Sequence, residues 1–131
     1  MDKMKKLAVI SAMYGCRHDG KTYMHLSFGR IIDSLAKSYD KLILCVPLKE
    51  SQPDESRDYM LTSDNIEVLP QPFYESSMAA LKYIVGIAGT YKNACQKADC
   101  LFIRGMIPYV GLLYFWAWYY KNRICHWMVG N

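Results

Sequence analysis

Apolar positions along the chain alternate between two periods. Leu7, Ala8, Val9, Ile10, Ala12, Met13 and Tyr14 form a near-continuous apolar run that stops at Gly15, which predicts a strand covered on both faces by helices. From Tyr23 the period becomes helical, with Met24, Phe28, Ile31, Ile32, Leu35 and Tyr39 on one face and Arg30, Asp33, Ser34 and Lys37 on the other. Residues 42–46 (LILCV) read as a second strand stopped by Pro47. Residues 50–65 are polar and aperiodic, a surface loop with room for one helical turn around Tyr59 and Leu61. A short third strand, residues 66–69, runs into Pro70, Gln71, Pro72, Phe73 and Tyr74, a stiff extended piece whose aromatic pair either caps the core or stacks on a sugar ring.

Ser76 or Ser77 can cap the next helix. Its inward residues, Met78, Leu81, Ile84, Val85, Ala88 and Cys95, recur at helical spacing to about Lys97, with Gly86 and Gly89 allowing a neighbour to approach closely. Residues 100–103 form a fourth strand ending in Arg104 and Gly105, and residues 123–129 a fifth ending near Asn131. Between them, residues 106–120 (MIPYVGLLYFWAWYY) are uncharged and aromatic. That stretch falls short of the roughly 20 apolar residues a membrane span needs, and Pro108 suits a first helical turn, so it predicts a buried or interface helix.

Strands alternating with helices predict an α/β fold: one Rossmann-like three-layer domain over residues 1–131, with a mostly parallel sheet of about five strands. Open sheets of this kind bind ligands outside the carboxyl ends of their strands, which singles out the loop from Gly15 onward, the Arg104–Gly105 step and the end of the fifth strand. Gly15, Gly20, Lys21 and Thr22 satisfy the G-x-x-x-x-G-K-[ST] phosphate-loop pattern. Against a phosphate loop stand the bulky or charged Cys16, Arg17, His18 and Asp19 inside it, and the lack of a magnesium-positioning aspartate at the end of another strand. A sugar or phosphate-sugar contact loop is the leading reading, with a phosphate loop and a plain solvated loop as the alternatives. Arg104 is either an anion contact or a surface ion-pair partner, and His126 either a packed core residue or a site group.

Composition narrows the field. The 131 residues are 52% hydrophobic, enough for a two-sided core, and the net charge of +4 is spread among acids apart from Lys3, Lys5 and Lys6, so nucleic-acid binding has little support. Cys16, Cys45, Cys95, Cys100 and Cys125 are odd in number and lack C-x-x-C spacing, which fits reduced, packed thiols in a cytoplasmic protein and no metal site. No small-residue cleavage site follows the first apolar run, so it does not read as a secretory signal.

The first-strand loop with Asp19 and Gly20, the run SFGRIIDSLAKSYDKLILCVPL at residues 27–48, ADCLFIRG at residues 98–105 and the terminal CHWMVGN together resemble the amino-terminal half of the group 1 retaining glycosyltransferases of the GT-B fold. The resemblance implies an acceptor-binding domain, with the nucleotide-sugar donor held by a missing domain or a partner subunit, and no cofactor in this chain. Carried onto this sequence, Gly15, His18, Asp19, Gly20 and Lys21 face the donor phosphates or sugar. Arg104, Gly105 and Asn131 line the cleft, and His126 is the candidate catalytic group. Relatives often carry an aspartate where this chain has Asn131. A glycan or lipid-linked acceptor is implied, and residues 106–120 then offer a peripheral membrane or subunit contact on the cytoplasmic side; the competing readings are a small nucleotide-binding protein using Gly15 to Thr22 and a non-catalytic interaction module.

Overall fold

The first apolar run forms the central strand β1 (Lys6–Ser11), buried from Leu7 onward. In this computed structural model, which describes residues 6–53, 55–72, 81–105, 107 and 109–127, the elements that follow are β2 (Gly15–His18), β3 (Lys21–Met24), α1 (Leu26–Ala36), β4 (Lys41–Glu50), β5 (Tyr59–Met60) and β6 (Ile66–Gln71). A 3-10 turn (Leu81–Tyr83) then leads into α2 (Ile84–Lys97), β7 (Cys100–Arg104), α3 (Val110–Tyr119) and β8 (Arg123–Trp127).

Five strands run parallel in the order β6, β4, β1, β7, β8. Alternate residues of the two central strands go to opposite faces. Leu7, Val9, Leu42, Leu44 and Val46 pack with Phe28, Ile32 and Ala36 of α1. Ala8, Ile10, Ile43 and Cys45 pack with Ile87, Tyr91 and Ala94 of α2 and Leu113 and Ala117 of α3. The result is three layers, because strands apolar on both sides need a cover on both sides.

The sheet has eight strands rather than five, and the cause is β4. It does not stop at Pro47 but runs to Glu50. Pro47 falls between the last pair with β1, Ile10 with Cys45, and the first pair with β2, Gly15 with Leu48, and on the other side it meets Gln71, the last residue of β6. Strands β2 and β3 form an antiparallel hairpin on the extension, and β5 pairs with β3. Tyr23 and Met24 accordingly belong to β3, and α1 begins at Leu26, with the His25 ring accepting the Ser27 N–H at 3.3 Å.

Three further expectations shift. The helical turn around Tyr59 is the short strand β5. Helix α2 turns Ile87, Tyr91, Ala94 and Cys95 inward, while Leu81, Ile84 and Val85 are exposed; Gly86 does lie against Pro72, and Gly89 faces open space. In α3 the buried residues are Leu113 and Ala117, so most of its aromatic surface faces outward. Phe73, Tyr74, Ser76, Ser77 and Met78 lie outside the described residues.

Asp33, expected on the polar face of α1, is 7% exposed. Its carboxylate accepts hydrogen bonds from the Tyr59 hydroxyl at 2.6 Å, the Ser63 hydroxyl at 2.9 Å and N–H at 3.1 Å, and the Thr62 hydroxyl at 3.2 Å and N–H at 3.3 Å. One helical turn away, a side chain at Gly29 would collide with the Tyr59 ring, so β5 lies directly on α1. Burial alone raises the Asp33 pKa, but the donors from Tyr59, Ser63 and Thr62 outweigh it and hold the carboxyl below its ordinary value. A carboxyl depressed on folding adds stability above its unfolded value of about 3.9, which is lost as pH falls through the lower folded value. Asp33→Asn is therefore expected to cost about 1–3 kcal/mol at neutral pH and to flatten the stability loss below about pH 4, checked by urea titrations across that range.

All five cysteines are free thiols; Cys16, Cys45 and Cys95 are buried, Cys100 is half-buried and Cys125 is exposed. Burial pushes Cys45 up to about 11 and Cys95 up to about 12. Reaction with Ellman's reagent near pH 8 is expected to modify Cys125 first and to reach Cys45 and Cys95 only on unfolding, a sequence that peptide mapping resolves.

Candidate functional site

The carboxyl edge of the parallel strands gathers a small constellation. β1 ends at Ser11, whose buried hydroxyl accepts the Met13 N–H at 3.1 Å and turns the chain out of the sheet. Level with it on β7 stands Arg104. Its guanidinium lies 4.7 Å from the centre of the Phe28 ring of α1, and one of its nitrogens is 3.6 Å from the Met13 sulfur. A cation over an aromatic face is held in position while it keeps its charge. Gly105 follows with φ of 75° and open space where a side chain would stand, so it serves a backbone turn.

Two polar residues brace this edge. Arg57 donates to the Tyr14 carbonyl at 3.0 Å and lies 3.6 Å over the Tyr14 ring, fixing the segment that leads from β1 to the hairpin. Gln71, 2% exposed at the end of β6, donates to the Cys45 carbonyl at 3.1 Å, and its carbonyl oxygen meets no donor among the described residues. The arrangement offers a cation, apolar ring and thioether surface, and a buried amide. Among the described residues no group of three His, Cys, Asp or Glu side chains converges for a metal.

Residues 15–22 do not form a phosphate loop. Asp19 and Gly20, with φ of 52° and 75°, make the two-residue turn of a β-hairpin, for which Asp-Gly is a favoured pair. β2 is flanked by β3 and β4, so backbone that would have to wrap a phosphate is spent in ladders on both sides. Helix α1 begins four residues after Thr22, too late to aim its amino end at a phosphate beside Lys21. At the tip, His18 and Asp19 are 3.4 Å apart and Lys21 is exposed.

The sequence-derived candidates therefore separate. β2 ends its pairing opposite Glu50, four residues beyond the level of Arg104 on the sheet, so the hairpin tip stands roughly 13 Å further along the strand direction. His126 has its backbone in β8 opposite Ile103, one residue short of the Arg104 level; its side chain and Asn131 lie outside the described residues. Phe28 and Arg57 escape sequence reasoning for different reasons. Phe28 reads as ordinary helix core, and Arg57 sits in an aperiodic stretch whose partner, Tyr14, is distant in sequence.

A groove of about 330 Å³ also opens between α1 and the β7–β8 edge, lined by Leu35, Tyr39, Phe102, Ile124 and Cys125 among others. It is apolar and lies near the opposite ends of the strands from Arg104.

No family model and no curated protein matches the chain. Two crystal structures of the C-terminal domain of a hydrogenase from Pyrococcus furiosus are similar to it in fold. One has a TM-score of 0.53 at 12% identity over 96% of this chain and 93% of that one. The other has a TM-score of 0.50 at 12% identity over 98% and 94%. The likeness is one of fold alone.

The hairpin's geometry sets its tolerance to change. A side chain at Gly15 would collide with the Met24 sulfur and the Tyr23 carbonyl, so Gly15→Ala is expected to cost about 1–3 kcal/mol. Gly20→Ala meets no neighbour but is strained by its positive φ, with an expected loss of about 1 kcal/mol, while Asp19→Asn is neutral. Denaturant melts of the three variants check the order.

Proposed function

We propose that this chain is the acceptor-binding half of a glycosyltransferase, acting with a donor-binding domain or subunit. The observation that carries the reading is the edge formed by Arg104, Phe28 and Met13 at the carboxyl ends of β1 and β7. The order of the five parallel strands is that of a Rossmann-like half, for which that edge is the binding edge. An aromatic ring and a thioether suit the apolar face of a sugar, and a guanidinium suits its hydroxyls or an attached phosphate. In the transfer itself an acceptor hydroxyl attacks the anomeric carbon of the donor sugar and the nucleoside diphosphate departs. In this reading Arg104 stabilises the developing negative charge and His126 is the group assigned to proton handling. The donor's nucleotide is left to the second half, because the hairpin has no phosphate-wrapping backbone to offer.

Saturation-transfer NMR tests the reading. Acceptor-type oligosaccharides, free and lipid-linked, are expected to show contacts that Arg104→Ala weakens about tenfold, the scale of one charged hydrogen bond. Free nucleotide sugars are expected to show none. Magnesium-dependent ATP or GTP binding that Lys21→Ala abolishes, with no saccharide contact, would overturn it in favour of a nucleotide-binding protein.

A further inference from the structure

Helices α2 and α3 form one layer, both turning a narrow apolar stripe toward the sheet. Lys92 lies 5.2 Å from the Trp116 ring centre and the Gln96 amide donates to the Tyr120 hydroxyl at 3.0 Å, so the two helices lie side by side. The outer surface of the layer is unlike that of an ordinary solvated helix pair. On α3, Phe115 is 50% exposed, Trp118 75% and Tyr119 59%, joined by Leu112 and Tyr114. At the start of α2, Leu81 is 60% exposed and Val85 83%. The α3 rings also pack on one another, Phe115 stacked on Tyr119 at 6.5 Å and Trp116 on Tyr120 at 6.1 Å, which holds the surface in shape without a partner.

Charge accompanies this apolar surface. Residues 81–123 hold Lys82, Lys92, Lys97, Lys121 and Arg123 besides Arg104, which lies over Phe28 on the α1 side, and a single acidic residue, Asp99. Lys97 is engaged by Glu67, and Asp99 accepts the Lys6 N–H. Lys82 and Lys121 are exposed, Lys121 beside Trp118 and Tyr119, and the rest of the chain is close to neutral.

We propose that the α2–α3 layer docks the protein on an anionic lipid bilayer. Tyrosine and tryptophan with lysine around them are the side chains that settle at the headgroup level, apolar ring inward and ammonium toward lipid phosphate. Aromatic side chains serve protein interfaces too, and it is the lysine, depleted there, that favours an anionic surface. Helix α3 has ten residues, about 15 Å, and no helix among the described residues is long and apolar enough to cross, so the layer lies on the membrane and does not span it. A cleft of about 450 Å³ beside Trp118 and Tyr119, with Lys121 and Asn122 in its wall, gives room for a headgroup. The inference stands on α2 and α3 and not on the sugar-binding edge.

Co-sedimentation of the full chain with phosphatidylcholine vesicles, with and without phosphatidylglycerol, tests it. Binding is expected to anionic vesicles, to fall steeply with salt, and to weaken about fivefold for each of Lys82→Gln and Lys121→Gln. Phe115→Ser with Trp118→Ser is expected to weaken it tenfold or more, and thermal melts of these exposed-residue variants are expected to match the parent. Protein that stays in solution with anionic vesicles, or binds them regardless of the substitutions, overturns the proposal. So does a dimer seen by light scattering that Trp118→Ser dissolves while vesicle binding is absent, which assigns the surface to a second copy. No sugar enters the assay, so its failure and that of the acceptor reading are distinguishable.

Discussion

β4 outlasts β1, and much of the molecule follows from that mismatch. A ten-residue strand at the centre of a sheet presents hydrogen-bonding groups along both edges, and each buried group has to find a partner. As far as Cys45 the inner edge is paired by β1; beyond Pro47 that partner has ended. The chain leaving β1 turns back into line as β2 and takes up Leu48, Lys49 and Glu50. The hairpin and β5 are then built outward from β2. The Gly-x-x-x-x-Gly-Lys-Thr pattern is thus used for sheet extension: Gly15 because the hairpin backbone passes close to it, and Gly20 because the turn needs a positive φ.

This explains what was legible in the sequence. The parallel core was, because Leu7 to Ile10 and Leu42 to Val46 carry no polar interruption, and only strands covered on both faces tolerate that. The extension was not. Pro47 ordinarily ends a strand, and here it falls where both neighbours change, between β1 and β2 on one edge and at the last residue of β6 on the other, which are non-local events. Asp33 misled for a related reason: a carboxylate at a helical position reads as solvated unless a separate loop brings it five donors. The inward face of α2 was misplaced because its first turn is as apolar as its buried stripe, so periodicity did not separate the two.

At the candidate site the edge residues were legible and their company was not. Arg104 and Gly105 follow from the topology, since they end a parallel strand next to the first one. Phe28 beneath Arg104 comes from α1, and Arg57 against Tyr14 comes from a loop 43 residues away. No spacing rule joins such residues.

A stretch without apolar periodicity therefore governs the geometry of the edge. Residues 55–63 include Arg57, which holds the exit from β1 through Tyr14, and Tyr59, Thr62 and Ser63, which tie β5 to α1 through Asp33. Since β5 is paired with β3, and β3 with β2, the hairpin takes its position from this polar staple as well as from β4. Phe28, the support for Arg104, sits on the same helix as Asp33. Apolar burial places the layers, but it is non-directional and leaves side chains free to slide. A carboxylate with five donors, and a guanidinium bonded to one carbonyl and stacked on one ring, admit a single arrangement. The distance between α1 and the carboxyl edge of the sheet is set by those directional contacts, and Arg104 and Phe28 stand at an edge already in place.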